Sequence, residues 1–309
     1  MKLTFLGTGG AWRVPELNCD CLICREMRRR KESRQRTAFL LSQRSNLLID
    51  CGPDIASQLA RHPVGSLDGV LITHEHGDHY MGLDEIFSYK RACPRDEFRP
   101  VPVYLTSGSW RVISDRFRYL EEMGVITVHY VEKKKALDLG DFRVTPFKTN
   151  HGSFAAGSVG YIIEAEGHDD GSVTRLVYTS DFVDIPESVP ELLKPDYLII
   201  QSFWLNEPIV NRPNHMSFQR ALGFIESWQP KEETFLVHIG DGDLIPGDPA
   251  NRMLKKTKPA DPLRPLAGGE PYSVPKNQTE WQQVVDEIIS DRGMPYKVTV
   301  AYDGLEVMI

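Results

Sequence analysis

The sequence lacks the features that would place it in several other classes of protein. Its longest apolar runs are far too short for a membrane span, and residues 1–7 break at glycine before a signal-peptide core could form. Positive charge is in deficit, with 36 Lys and Arg against 43 Asp and Glu, and the net charge of −7 argues against general nucleic-acid binding. We therefore expect a cytoplasmic protein with no membrane partner.

Cysteine is scarce, and its distribution excludes a disulfide-stabilised scaffold. There are five cysteines, an odd number, and three of them form a C-x-C-x-x-C pattern at Cys19, Cys21 and Cys24. In a cytoplasmic chain this spacing indicates metal binding, because three thiolates supply three corners of a tetrahedral zinc site. The fourth ligand must come from elsewhere. Cys51 and Cys93 stand apart, and we interpret both as buried or half-buried residues without a chemical role.

The densest potential chemistry in the chain follows a short apolar run, residues 70–73, that predicts a buried strand. The next segment contains His74, His76, Asp78 and His79. Alternate side chains of an extended segment share a face, so His74 and His76 can converge on one cation. Asp78 and His79 come where the chain turns into a helix, and they can reach a second cation nearby. Imidazole and carboxylate at this density suit zinc, manganese or iron.

The segment His74-Glu75-His76-Gly77-Asp78-His79 resembles the signature of the metallo-β-lactamase-fold hydrolases. The resemblance implies a four-layer αββα sandwich and three further ligands, each at a strand end: His151, the bridging Asp181, and His238. It also implies that Asp50, which follows another apolar strand, supports the metal-binding loop from behind. On this pattern one ion is bound by His74, His76, His151 and Asp181. The other is bound by Asp78, His79, His238 and Asp181.

Two divalent ions, Zn²⁺ or Mn²⁺, bridged by Asp181 would hold a hydroxide that can attack at neutral pH. A redox role of the flavodiiron kind is disfavoured, because those relatives have Glu where this chain has His76. The chain most resembles the branch of the phosphoribosyl 1,2-cyclic phosphate phosphodiesterase, the carbon–phosphorus lyase accessory protein. That relative has the same cysteine loop, with a His as fourth zinc ligand. The corresponding residue here is Asp241, which we expect to complete a structural zinc site.

The motif Asn214-His215-Met216-Ser217 resembles the loop that delivers a catalytic His in phosphodiesterases of the family. We predict that His215 protonates the leaving group, because an ordinary imidazole pKa lies near neutrality, and that Asp78 acts beside it as a catalytic side chain. The predicted substrate is a small anionic phosphodiester, with a cyclic phosphate favoured. Nucleic-acid processing like that of tRNase Z remains an alternative. So does a non-hydrolytic binding role like that of the pyrroloquinoline-quinone synthesis B protein. The sequence leaves a homodimer open.

The remaining patterns place the site in one α/β domain spanning residues 1–309. The proline-rich insert at about 244–276 has neither helical nor strand period, and it leaves from the last ligand loop, so we expect it to cover part of the active-site mouth. Within the basic run 25–36, Arg34 or Arg36 can rim the site, although most such runs form solvated helix faces. We also predict a helix over 80–91, a hairpin turn at 167–171, a helix capped at Thr279, and a final hairpin turning at Asp303-Gly304.

Overall fold

The computed structural model describes residues 1–166 and 171–309 of the chain. The described residues form 14 strands in two mixed sheets. The first sheet contains β1 (Lys2–Gly7), β2 (Ala38–Ser42), β3 (Asn46–Ile49), β4 (Gly69–Leu71), β5 (Val101–Leu105), β6 (Ile126–Tyr130) and β14 (Glu306–Met308). The second contains β7 (Leu137–Leu139), β8 (Phe142–Lys148), β9 (Val159–Glu166), β10 (Val173–Tyr178), β11 (Tyr197–Gln201), β12 (Glu233–Val237) and β13 (Val298–Val300).

Helices connect and cover these sheets. They are α1 (Leu22–Arg30), α2 (Ile55–Arg61), α3 (Gly77–Tyr80), α4 (Phe87–Ala92), α5 (Ser107–Glu122), α6 (Phe218–Trp228) and α7 (Gln278–Asp291). Short 3₁₀ turns occur at Leu83–Ile86, Ser153–Ala155, Pro190–Leu192 and Pro249–Arg252. None of the helices in the described ranges is long and apolar enough to cross a membrane.

Three apolar clusters define the layers. The central cluster lies between the sheets and joins residues such as Phe5 and Phe39 to Tyr178 and Phe235. Because strand side chains alternate in direction, the opposite faces of both sheets are also apolar and need a cover. Helix α5 covers the first sheet, and α6 and α7 cover the second. The result is the four-layer αββα sandwich expected from the sequence.

Strand order brings the functional loops to one edge. The first sheet runs β14-β1-β2-β3-β4-β5-β6, and β3 to β6 are parallel. The second runs β13-β12-β11-β10-β9-β8-β7, in which β10 to β13 are parallel and β8 points the same way as β10 through the antiparallel β9. Within the first sheet β1, β3 and β4 point the same way, as do β8, β10 and β12 within the second. The loops that follow these strands therefore emerge at one edge of each sheet, the carboxyl edge, where α/β sheets usually bind ligands.

The structure corrects three local predictions. The helix expected over 80–91 is broken, because the Gly82 amide donates to the Cys51 carbonyl at 2.8 Å instead of continuing a helical ladder. Helix α7 is capped by Asn277, whose side chain accepts from the Glu280 amide, and not by Thr279. The final strands form no hairpin, because β13 and β14 belong to different sheets. Residues 167–170 of the predicted hairpin turn lie outside the described residues.

Candidate metal centre

Four loops deliver the predicted ligands to one place. The loop after β4 contains His74, His76, Asp78 and His79, and the loops after β8, β10 and β12 contribute His151, Asp181 and His238. Five of these seven residues are buried, and the two half-buried ones, His76 and Asp78, line the cavity above them. The first and the last of them, His74 and His238, are far apart in the sequence, so only the fold brings them together.

The first ligand cluster comprises His74, His76 and His151. One ring nitrogen of each lies within 4.8 Å of the others. His151 Nε2 lies 3.1 Å from His76 Nδ1, so these two ring nitrogens face each other at hydrogen-bond distance. His74 Nε2 is buried and has no hydrogen-bond partner among the described residues. Burial lowers the pKa of His74 well below its ordinary value, so its ring is neutral and able to bind a cation.

The second ligand cluster comprises Asp78, His79, Asp181 and His238, again within 4.8 Å of one another. Asp181 Oδ2 lies 3.0 Å from His238 Nε2 and 3.4 Å from His79 Nε2. It is also 3.8 Å from His151 Nε2 in the first cluster. Asp181 is therefore the residue that faces both clusters, as a bridging ligand must.

These donors fit divalent metal ions. Both carboxylate oxygens of Asp181, together with Nε2 of His74, His79 and His238, are buried and lack hydrogen-bond partners within the described residues. Buried polar atoms without partners are rare in folded proteins, and here five of them converge. Burial alone would raise the pKa of Asp181, but the adjacent His238 and His79 hold it well below its ordinary value. An ionised carboxylate among imidazoles is a donor set typical of zinc or manganese.

A set of supporting hydrogen bonds orients the ligands. Asp50 Oδ2 lies 2.7 Å from His79 Nδ1, and Asp50 also accepts from the backbone amide and hydroxyl of Thr73. The Thr73 hydroxyl is 3.0 Å from His74 Nδ1. His151 Nδ1 donates to the Asn214 carbonyl at 2.8 Å. The bonds to His79, His74 and His151 all occupy Nδ1 and leave Nε2 directed at the clusters. A carboxylate in the position of Asp50 can therefore support the ligands from behind, as expected.

Backbone conformations at the site are unusual. Asp50, Ser180, Asn214 and His238 adopt positive φ values of 62°, 59°, 56° and 58°. This left-handed region is disfavoured for residues with a side chain and persists only where the surrounding structure fixes it. All four lie in or beside the loops that present ligands. The fold therefore stores local strain at the site, in a pattern often seen around functional residues.

His215 lies beside Asp181, with its Nδ1 3.6 Å from Asp181 Oδ2. Gln201 Oε1 accepts from the backbone amides of Phe182 and Met216, which turns its amide nitrogen toward His215. Gln201 Nε2 donates to His215 Nδ1 at 2.6 Å, so the neutral ring carries its proton on Nε2. Burial lowers the pKa of His215 well below its ordinary value, although Asp181 opposes this. The buried ring is therefore neutral and has an N–H available for hydrogen-bond donation from Nε2.

The cysteine cluster forms a second potential metal site. Cys19, Cys21, Cys24 and Asp241 are all buried and offer ligand atoms within 4.8 Å of one another. Asp241 Oδ2 lies 3.0 Å from Cys24 Sγ, 3.5 Å from Cys21 Sγ and 4.0 Å from Cys19 Sγ. The Cys24 thiol lowers the pKa of Cys21 to about 6, which favours a thiolate. Three thiols and a carboxylate are a donor set that can hold one divalent metal ion.

Lysine side chains surround this second site, which the sequence did not indicate. Lys255 Nζ forms an ion pair with Asp241 and a second one with Glu16 at 3.1 Å. Lys256 Nζ donates to the backbone carbonyls of Asp241 and Asp243. Two cations therefore offset the negative charge that three thiolates and a carboxylate would concentrate here. Both come from the proline-rich insert, far from the cysteines in sequence.

Two arginines of the basic run have different positions. Arg36 lines the cavity over the metal centre and pairs with Asp54 at 3.2 Å. Arg34 is buried, and its guanidinium bonds to the Thr8 hydroxyl, the Ala301 carbonyl and Gln278. Arg36 therefore rims the site, whereas Arg34 joins the first loop to the C-terminal segment.

A cavity of about 520 Å³ opens over the metal centre and is called the metal-side cavity below. Its walls are formed by residues of the ligand loops and of the loops facing them: Ala11, Trp12, Arg36, Pro53, His76, Gly77, Asp78, Met81, His151, Phe154, Arg212, Pro213, Asn214 and His215. The proline-rich insert does not line it. The insert is tied by backbone hydrogen bonds to residues 207–209 and lines a neighbouring cavity instead.

The family model described as the beta-lactamase superfamily domain matches residues 45–239, more than half of the chain. The chain belongs to the beta-lactamase superfamily. The matched segment runs from β3 to the loop after β12, so it includes all seven ligands of the two clusters. The recognition made from the His74–His79 motif is confirmed at the level of this superfamily.

Curated relatives have diverse names. The chain is 27% identical over 247 residues to an octanoyltransferase of Porphyromonas gingivalis, covering 77% of this chain and 46% of that protein. It is 31% identical over 170 residues to ribonuclease Z of Natronomonas pharaonis, covering 53% and 48%. It is 28% identical over 260 residues to the anti-Pycsar protein Apyc1 of Bacillus phage vB_BsuM-Goe3, covering 78% and 89%. The chain spans about half the length of the first two.

Solved structures match over the whole chain. A diphosphatase of the PhnP family superposes with a TM-score of 0.70 at 23% identity, covering 100% of this chain and 97% of that one. Zn²⁺-bound PqqB from Methylobacterium extorquens superposes with a TM-score of 0.69 at 19% identity, covering 100% of both chains. At these identities the likeness establishes the shared fold.

Proposed function

We propose that this protein is a two-metal phosphodiesterase that hydrolyses a small, cyclic phosphodiester. The observation that carries the proposal is the position of Asp181 between two clusters of histidine and carboxylate side chains, with His215 3.6 Å from it on the cavity side. Among the matched proteins, a diphosphatase of the PhnP family and a ribonuclease Z are named for cleavage at phosphorus. We place the chain with the PhnP branch on this basis.

The ligand assignment follows the two clusters. His74, His76 and His151 would hold one ion, Asp78, His79 and His238 the other, and Asp181 both. Two divalent ions, Zn²⁺ or Mn²⁺, would supply a lowered pKa for water and neutralise charge on phosphoryl oxygens. Burial would raise the pKa of Asp78, but His79 and His238 hold it below its ordinary value. Asp78 therefore stays ionised where it lines the metal-side cavity.

Three residues that line the metal-side cavity, Arg36, Arg212 and His215, would act on the substrate. Arg36 and Arg212 line the metal-side cavity and attract an anion to it. His215 Nε2–H donates a hydrogen bond to the leaving oxygen, where negative charge grows as the bond to phosphorus breaks. Because Gln201 fixes the ring through Nδ1, this donor needs no reorientation during the reaction. The role proposed for His215 is hydrogen-bond donation by a neutral ring.

A small substrate is favoured over a nucleic acid. The metal-side cavity encloses about 520 Å³, which suits a small ligand. The net charge of −7 disfavours binding along a polyanion. We also propose that the cysteine cluster is a structural zinc site, with Asp241 as its fourth ligand. This site would join the N-terminal loop to the loop after β12.

A substrate panel tests the proposal. Protein loaded with Zn²⁺ or Mn²⁺ is assayed on a five-membered cyclic phosphodiester, a phosphomonoester, a lactam and a thioester. We expect hydrolysis of the cyclic diester to exceed that of the other three, and Asp181→Asn purified in parallel to show none. Hydrolysis of the lactam or thioester with no activity on any diester would overturn the proposed substrate class.

A further inference from the structure

A second cavity, of about 510 Å³, adjoins the metal centre. We call it the aromatic cavity, because its walls include Trp12, Phe203 and Trp204; the charged side chains of Glu16, Arg212 and Lys255 line it as well. Ala11, Trp12, Arg212, Pro213 and His215 line both cavities. The two spaces therefore meet at His215, and a substrate bound at the metal centre can extend past that ring into the aromatic cavity.

The aromatic wall is held rigidly. The ring of Phe203 stacks on His215 with centroids 4.6 Å apart and planes at 13°, and it meets Trp204 edge-on at 4.7 Å. A Cβ at Gly10 would lie 2.6 Å from the Phe203 ring, and one at Gly240 would lie 2.7 Å from it. Any side chain at either position would displace the ring. The two glycines thus let Phe203 fit between the first loop and the loop after β12.

Trp12 forms the exposed side of the same space. Its side chain is 65% accessible, and none of the ring stacking found among the described residues involves it. An exposed indole leaves apolar surface in contact with water, and covering that surface would lower the free energy. Because Trp12 lines both cavities, a ligand that passes from one to the other would contact it. The indole is placed to stack on that ligand.

The charges around the rim define what kind of ligand fits. Arg212 and the ion pair between Lys255 and Glu16 lie beside the rings of Trp12 and Phe203. An aliphatic chain would remove water from these charged groups without replacing their hydrogen bonds. A planar heteroaromatic group offers a π face to the rings and donors and acceptors at its edge.

We infer that the aromatic cavity binds the leaving-group side of the substrate and selects a nucleobase or similar planar heteroaromatic group. The inference rests on the proposed function, since His215 donates to the leaving oxygen and forms the boundary between the two cavities. The substrate class becomes a small cyclic phosphodiester of a nucleoside. Trp12 is the residue through which we expect this selection to act.

Calorimetry tests the cavity without turnover. Metal-loaded protein is titrated with a nucleoside monophosphate and with ribose 5-phosphate, which lacks the base. Stacking on an aromatic side chain predicts roughly 5- to 100-fold tighter binding of the nucleotide. Trp12→Ala should remove most of that preference, and Trp12→Phe should retain much of it. Phe154→Ala is the matched control, because Phe154 is also an exposed aromatic but lines only the metal-side cavity; it should keep the preference.

Kinetics separate this inference from the proposed function. A nucleoside cyclic phosphate is compared with a ribose cyclic phosphate that has no base. We expect Trp12→Ala to raise KM for the nucleoside substrate only, with kcat little changed. Equal affinity of the wild type for the two titrated ligands, or equal effects of Trp12→Ala on both substrates, would overturn the inference while diester hydrolysis stands. A preserved base preference without any diester hydrolysis would support the cavity and overturn the proposed function.

Discussion

Asp50 Oδ2 lies 2.7 Å from Nδ1 of His79, and both side chains are fully buried. Through the Thr73 hydroxyl, which is 3.0 Å from His74 Nδ1, the same carboxylate also supports a ligand of the other cluster. One residue behind the metal centre therefore orients an imidazole in each ligand cluster. Loss of this residue should affect both proposed ions at once.

Asp50→Asn should weaken metal binding at both clusters, because the amide keeps the size of the side chain but cannot accept from His79 and Thr73 together. Changes to such supporting residues typically lower metal affinity by 10- to 100-fold, so we expect a loss of about that size. Competition with a chromogenic chelator measures it. Asp54→Asn is the control, since Asp54 pairs with Arg36 at the rim and bonds to neither cluster. An unchanged affinity in Asp50→Asn would contradict the supporting role.

His215→Ala should slow hydrolysis of diesters with alkyl leaving groups by roughly 10²- to 10⁴-fold, because an alkoxide needs a donor as it departs. Diesters with a nitrophenolate leaving group depart without such help and should be much less affected. The measurement is kcat on matched alkyl and nitrophenyl diesters. Equal losses on both would indicate that His215 only positions the substrate or the ligands.

Cys21→Ser should remove one metal equivalent and lower the Tm, while the active-site ions remain bound. The reason is that Cys21 belongs to a cluster connecting the N-terminal loop to Asp241, separate from the ligands around Asp181. Elemental analysis and thermal unfolding provide the two readouts. Cys93→Ser is the matched control, because Cys93 lies outside that cluster. Metal content that does not change in Cys21→Ser would reject the structural zinc site.

Asp303 should make stability depend on pH. Burial raises the pKa of its carboxyl to about 6, although the amides of Gln35 and Thr8 oppose this. The folded state then retains a proton that the unfolded chain loses near pH 4. Stability from this group is complete below about pH 4 and falls by up to roughly 3 kcal/mol as pH rises to about 6.

Asp303→Asn removes this titration. The free energy of unfolding of the wild type, minus that of the variant, should therefore decrease between pH 4.5 and pH 7 when measured by chemical denaturation. Because both proteins carry the same metal sites, other pH effects cancel in the difference. A difference that is constant over this range would contradict the raised pKa.

The sequence was sufficient to predict which side chains converge, because residues 74–79 form a local motif and the resemblance that it carries implied His151, Asp181 and His238. His74, His76, Asp78 and His79 lie within six consecutive residues, and His151, Asp181 and His238 each follow a strand. Their convergence then follows from the carboxyl edges of strands that point the same way. The same resemblance implied the αββα sandwich, and the two sheets with their helical layers confirm it.

The rest of the site depends on contacts between distant segments. Gln201 sets the tautomer of His215 from the end of β11, and Phe203 reaches it between two glycines, yet neither residue belongs to a motif. Lys255 approaches Asp241 only because the insert folds back over the cysteine cluster. The final strands show the same limit: alternation at 297–309 predicted two strands, but only tertiary packing places β13 and β14 in different sheets.

The most direct test of the account is activity as a function of bound metal. Metal-free protein is reconstituted with increasing equivalents of Mn²⁺ or Zn²⁺ at the active site, in the Cys21→Ser background so that the cysteine cluster does not compete. Hydrolysis of a cyclic phosphodiester should rise until about two equivalents are bound, and Asp181→Ala should stay inactive throughout. Full activity at one equivalent, or no diester hydrolysis at any loading, would contradict a two-metal phosphodiesterase.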